Sequence, residues 1–307
     1  MHGTITVKLV VDYLTGIAVI QCIIALMIDY IPAVKMFVDS YVNMNVEVMD
    51  KINRLYGIGV ALDVAGGKFS AILLMITVIM GNDDTVKLNR KSIAVYSFCF
   101  VLISVIGSMI ARTTYVGMIL GIVYIVYRTG IWKRQINYSS IRFWRVLTGV
   151  VFVLVLACIY FYNTMPAFRE WFRFGFEGFV NFVERGKWET GSTDILQSMV
   201  VYPESLKTWI IGDGYMMDPV TGTYYNVTDI GYLRFIFYCG IIGLSIFTMM
   251  FLYLTATCYK MFPQEKHLFL LLLILVFAIW AKVSTDIFLV YAIFICIPRV
   301  QNPIKLV

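Results

Sequence analysis

The chain has 307 residues, 60% of them hydrophobic and only 14% charged, with a mean hydropathy of +0.80. Soluble domains are nearer half apolar and a quarter charged, so a soluble globular protein is excluded and a multi-span membrane protein is expected. The net charge of +6 does not point to nucleic acid, because the basic residues fall where membrane orientation would put them.

A spanning helix needs about 20 apolar residues. Eight segments read as candidates: roughly 6–31, 60–80, 92–111, 113–128, 146–162, 231–258, 267–282 and 285–298. Lys8, Asp12 and Asp29 interrupt the first, and the fourth and last are short. Lys87, Arg90 and Lys91 follow the second segment, and Arg128, Lys133, Arg134, Arg142 and Arg145 follow the fourth. Lys260 and Lys266 flank a later turn, and Arg299 and Lys305 lie in the tail. In the eight-helix reading all four groups fall on one side, which the positive-inside rule makes cytoplasmic, together with both chain ends.

The expected fold is therefore an all-α, polytopic membrane helix bundle. Residues 1–162 supply five helices and an outer loop at about 32–59, which carries Asp39, Glu47, Asp50, Lys51 and Arg54. Residues 163–230 form a large outer loop, and 231–307 supply three helices and a tail. The large loop is rich in Trp, Phe and Tyr, which argues against disorder. Within it, Phe168, Phe172, Phe176, Phe179 and Val183 recur at helical spacing after Pro166, with Arg169, Arg173, Glu177 and Glu184 on other faces. The pattern predicts one amphipathic helix over 166–185, lying in the outer interface. It is either an anchor or a shelf whose arginines reach a lipid-borne phosphate. Thr190-Gly-Ser-Thr-Asp194 reads as a turn and helix start, and Gly212-Asp-Gly-Tyr215 as a turn.

Ionisable groups mark two membrane crossings. Arg112, in Ala-Arg-Thr-Thr-Tyr-Val-Gly117, sits between two apolar runs, where it either snorkels or binds an anion. Asp229 and Arg234 stand where a polar loop turns apolar, and either pair with each other or form a polar site. Gly240 and Gly243 then predict a flat helix face for close packing. The two histidines are His2 and His267, neither on the outer side, so a His-based triad or His metal site is not expected there. The six cysteines lie in apolar runs with no metal-ligand spacing.

Taken together, Arg112, the large outer loop, Thr190–Asp194, Gly212-Asp-Gly214 and Asp229-Ile-Gly-Tyr-Leu-Arg followed by Gly-Ile-Ile-Gly resemble the Wzy-type O-antigen polymerases, relatives of the O-antigen ligases. The resemblance covers about residues 54–300. It implies an all-helical bacterial inner-membrane enzyme that transfers glycan from an undecaprenyl-diphosphate donor to an acceptor sugar at the periplasmic face. Neither metal, nucleotide sugar nor other cofactor is implied. The implied partners are the undecaprenyl-diphosphate-linked oligosaccharide, membrane lipid and a chain-length regulator protein. Eight spans are fewer than the family's usual number, which reads as an N-terminal truncation or the loss of an early helix. Ligases tend to carry His-Asn three residues before the Tyr-Leu pair. Asp229 at that position favours the polymerase branch. By the resemblance, Arg112 and Asp229 are catalytic, Arg234 and Arg173 hold the diphosphate, Tyr232, Tyr215 and Asp194 line the substrate site, and Arg54 makes a further contact. A flippase or transporter of lipid-linked sugars and a non-catalytic assembly subunit remain alternatives; scattered rather than converging outer charges would favour the last.

Overall fold

The computed structural model describes residues 5–41, 54–60, 62–130 and 138–297. Glu47, Asp50, Lys51, Lys133, Arg134, Arg299 and Lys305 lie outside the described residues. Among the described residues the regular structure is helical, with two isolated β-bridges (Gly57 with Val60, Met217 with Tyr224) and no strand.

The first helices are α1 (Val7–Tyr30), α2 (Pro32–Tyr41), α3 (Leu62–Asn82), α4 (Asp84–Leu88), α5 (Arg90–Ile110), α6 (Thr114–Arg128) and α7 (Tyr138–Thr164). The segment 163–230 contributes α8 (Pro166–Gly175), α9 (Glu177–Arg185), α10 (Gly191–Ser198) and α11 (Leu206–Ile211). The chain continues as α12 (Gly231–Met261), α13 (Lys266–Trp280) and α14 (Phe288–Ile295). Each expected apolar segment is helical, and α1, α3, α5, α7 and α12 are long and apolar enough to cross a membrane. Helices α6 and α13 are shorter, and α14 has eight residues.

Helix α3 is the axis of the bundle, buried along nearly its whole length. In an apolar medium helices associate by close packing and hydrogen bonds rather than by hydrophobic exclusion, which favours small residues at crossings. Gly117 and Gly121 of α6 form such a seam. A Cβ on Gly117 would lie 2.3 Å from Ser70 Cα, and one on Gly121 would lie 2.9 Å from Thr77 Cγ2. Ser70 Oγ reinforces the seam, donating to the Thr113 carbonyl (2.9 Å) and accepting from the Gly117 N–H (3.1 Å). Backbone cannot yield here as a flexible side chain would. Gly117→Val should therefore destabilise the protein by about 3 kcal/mol or more, read as a lowered unfolding temperature in detergent. Gly16→Ala, where a Cβ meets nothing within 4 Å, should not.

Two sequence expectations change and one holds. The single amphipathic helix over 166–185 is two helices, because Gly175 comes so close to α5 that a Cβ on it would lie 3.3 Å from the Ser108 and Met109 backbone, and the chain bends at Phe176. The helix start at 190–194 is capped by Thr190, whose Oγ1 accepts from the Thr193 N–H (3.2 Å).

The second change is in α12, which is not one rod. Gly240 has φ +64° and ψ −174°, and the two halves fold back on each other. The rings of Phe235 and Phe247 are 5.6 Å apart, whereas twelve residues of straight helix would separate them by about 18 Å. Phe235 and Phe251 both pack on Trp280. Residues 231–239 thus form a short helix whose end packs against residues 210–214. Residues 241–261, about 31 Å long at 1.5 Å per residue, are the part that can cross. The bend frees the Phe237 and Tyr238 carbonyls, which accept from the Asp213 (2.6 Å) and Gly214 (3.0 Å) N–H groups. This gives the Gly212-Asp-Gly214 turn its role. Gly240 serves the bend rather than a flat face, and the nearest neighbour of a Cβ on Gly243 is Cys239 of its own helix.

Candidate functional site

The site is assembled where the N-terminal ends of α3 and α6 meet the C-terminal ends of α5 and α13. The α5–α6 connection is a tight turn in which the Thr114 N–H donates to the Ala111 carbonyl and the Tyr115 N–H to that of Arg112, both at 3.0 Å. Ser70 holds this turn against α3, so Thr113 faces the first turn of α3. There Thr113 Oγ1 donates to Asp63 Oδ1, and Lys282, just beyond α13, donates to the same oxygen at 2.9 Å. Asp63 lies in the first turn of α3, where the helix dipole favours a carboxylate.

On the loop side of that turn, the Arg112 guanidinium pairs with Glu177 (2.6 Å), donates from Nε to the Phe174 carbonyl (3.0 Å) and lies 4.3 Å from the Phe174 ring centre. Arg54 lies over the same ring at 4.9 Å. Burial pulls the Arg54 pKa below the usual guanidinium range; the Asp63 charge opposes this and Arg112 adds to it. Two arginines therefore share one aromatic platform, close enough to repel.

On a third side, Arg234 pairs with Asp229 at 3.0 Å, donates to the Met216 carbonyl (3.3 Å) and stands 4.6 Å over the Tyr224 ring. Burial raises the Asp229 pKa above the ordinary carboxylate range. Arg234 works against that rise, while Asp63 raises it further and Lys282 lowers it. Asp229 thus belongs to the same electrostatic cluster as Asp63. Among the described residues four cations (Arg54, Arg112, Arg234, Lys282) stand against three carboxylates (Asp63, Glu177, Asp229).

A cleft of about 240 Å³ opens beside it. Arg112, Thr113 and Lys282 form its polar end, Phe179 and Trp188 an aromatic wall, and Ile119 and Ile279 an apolar flank. Cations at one end and helix-borne apolar surface at the other suit an anionic amphiphile, and aromatic faces accept sugar rings.

Of the residues singled out in the sequence, Arg112, Arg54, Asp229 and Arg234 meet here. Arg173 does not: it is exposed and paired with Glu184 at 2.9 Å. Asp194 is exposed in the first turn of α10. Tyr215 is exposed, with its ring against Tyr225. Tyr232 donates its hydroxyl to the Phe277 carbonyl (3.0 Å) and sets its ring edgewise on Trp280, which is a packing role. Asp63, Thr113, Glu177, Tyr224 and Lys282 were missed. Asp63 and Lys282 had a signal, since each stands at an end of an apolar segment, the rule that singled out Arg112 and Asp229. Among the described residues no group of three His, Cys, Asp or Glu could hold a metal ion. Compared with protein-family models, curated proteins and solved structures, the chain finds no match.

Proposed function

We propose that the chain is a bacterial inner-membrane polysaccharide polymerase. On this reading it transfers a glycan repeat from an undecaprenyl-diphosphate donor to an acceptor sugar at the periplasmic face, with eight spans and both ends cytoplasmic. The observation that carries the proposal is the convergence of Arg54, Arg112 and Lys282 with the half-buried carboxylate of Asp229, beside a cleft that is cationic at one end and apolar along its flank. Scattered outer charges would have favoured a non-catalytic subunit.

In the reaction the acceptor hydroxyl oxygen bonds to the donor's anomeric carbon as the bond from that carbon to the phosphate oxygen breaks. The hydroxyl proton passes to Asp229, and undecaprenyl diphosphate leaves. Arg112 and Lys282 stabilise the charge that grows on the leaving oxygen, in a site already organised to receive it. An incoming diphosphate competes with Glu177 for Arg112, since the two are already paired. Phe179 and Trp188 supply stacking faces for the sugar.

The test is polymer formation by the purified protein supplied with a defined undecaprenyl-diphosphate repeat unit. Arg112→Ala should lower the rate by about 10²–10³-fold, and Arg112→Lys should recover only part, because an ammonium cannot match the bidentate fork. Absence of polymer from a folded, lipid-reconstituted protein would reject the reading, and attachment to a lipid A–core acceptor would turn it to the ligase branch.

One observation favours a transporter of lipid-linked sugars as the second reading. Residues 231–239 are a half-helix bent back at Gly240 beside the charged cluster, and broken helices at polar sites are a transporter feature. Movement of the labelled lipid across sealed vesicles without formation of a glycosidic bond would establish it.

A further inference from the structure

A second cavity, about 520 Å³, shares no lining residue with the charged cleft and lies between α3, the 241–261 part of α12 and the segment leading into α14. Phe247, Met250, Ile287 and Leu289 make its walls apolar. A single cation, Lys68, and a single carboxylate, Asp286, line it. The two do not pair. Asp286 Oδ1 accepts the Phe288 N–H at 2.8 Å, capping the start of α14, and among the described residues Lys68 has neither a salt bridge nor a hydrogen bond. An exposed, unpartnered ammonium inside a long apolar helix is costly and calls for an anion or for water.

Depth selects the anion. Lys68 lies six residues inside the outer end of α3, about 9 Å along the axis at 1.5 Å per residue. Long helical side chains point back toward the helix N-terminus, here the outer end, so the ammonium rises to the level of lipid headgroups. A groove with a cation at that level and apolar walls below matches a phosphate joined to hydrocarbon chains, and its volume is in the range of ordinary small-molecule sites.

We propose that this groove is a separate lipid-binding site, in which Lys68 holds the phosphate of an anionic lipid and Phe247, Met250 and Leu289 hold the upper part of its chain. The site is distinct from the Arg112 cleft and does not depend on the glycosyl-transfer reading.

Native mass spectrometry of the purified full chain, titrated with phosphatidic acid, tests it, with diacylglycerol of the same chains as the comparison lacking phosphate. Phosphatidic acid should bind at least tenfold more tightly than diacylglycerol. Lys68→Gln should weaken one binding event at least tenfold, Lys68→Arg should restore it, and Arg112→Ala should leave that event in place. Millimolar inorganic phosphate should not displace the lipid. Equal binding of diacylglycerol, unchanged binding by Lys68→Gln, loss of the same event in Arg112→Ala, or displacement by inorganic phosphate would each overturn the proposal. Unaltered thermal unfolding of Lys68→Gln and Lys68→Arg should show that the variants are folded.

Discussion

Asp229→Asn should lower the polymerisation rate by about 10²–10⁴-fold, the usual loss when a positioned general base is removed, without lowering stability at neutral pH. The two halves of the expectation have one origin. Burial raises the Asp229 pKa above the ordinary carboxylate range, and pairing with Arg234 only partly offsets it. For an acid whose folded pKa is raised, the linked stability is fully present below the unfolded pKa and is lost as pH rises through the folded value. At neutral pH the charged carboxylate is therefore a net burden on the fold, and a neutral amide of the same shape relieves it. Arg234 keeps the Met216 carbonyl and the Tyr224 ring as partners. The same raised pKa should appear as the acid limb of the rate profile, with its midpoint above about 3.9, the free aspartate value. Arg234→Gln should move that midpoint further upward, because it removes the influence that lowers it. If Asp229 serves only to seat Arg234, both variants should lose stability together and the acid limb should not move.

The helical class was legible because hydrophobic composition and run length are properties of local sequence. Every apolar segment is a helix for that reason, and the segment 163–230 packs through the aromatic residues that argued against disorder. What sequence pattern missed are places where tertiary contact overrides periodicity. The Phe168–Phe179 spacing reads as one helix, but Gly175 approaches the α5 backbone and the chain must bend. Residues 231–258 read as one span, about 42 Å as a straight helix, but Gly212-Asp-Gly214 supplies N–H groups that satisfy the carbonyls freed at Gly240. A bend inside an apolar helix requires such partners, and they come from a turn far from it in sequence.

The site was half legible for a related reason. Charges at the edge of an apolar run stand out when the run is otherwise clean, as with Arg112 and Asp229. Asp63 and Lys282 were absorbed into the ends of expected helices, and Glu177 into the polar face of an amphipathic one. Their meaning lies in convergence across three distant parts of the chain. Arg173 misled for the opposite reason, since a basic residue on an amphipathic face finds its counter-charge locally in Glu184.

Asp63→Ala should destabilise the protein by about 3 kcal/mol, because it leaves Lys282 and Thr113 facing an apolar bundle without their shared acceptor. The side chains of Asp63 and Lys282 are 20% and 32% exposed, which places the expected cost at the low end for a broken buried pair. Asp63→Asn keeps an acceptor for both donors and should lose less. Removing both charges in Asp63→Ala/Lys282→Met should recover much of the loss, since an apolar replacement of a buried pair is often nearly neutral. Thermal unfolding of the parent protein, Asp63→Ala, Lys282→Met and the double variant in one detergent gives the coupling, and strictly additive losses would show that the pair is not the link between α3 and α13. Activity should behave otherwise. The double variant regains stability but still lacks the Lys282 charge at the polar end of the cleft, so its polymerisation rate should stay near that of the single variants. Recovery of both together would mean that Lys282 holds the bundle and does not act on the anion.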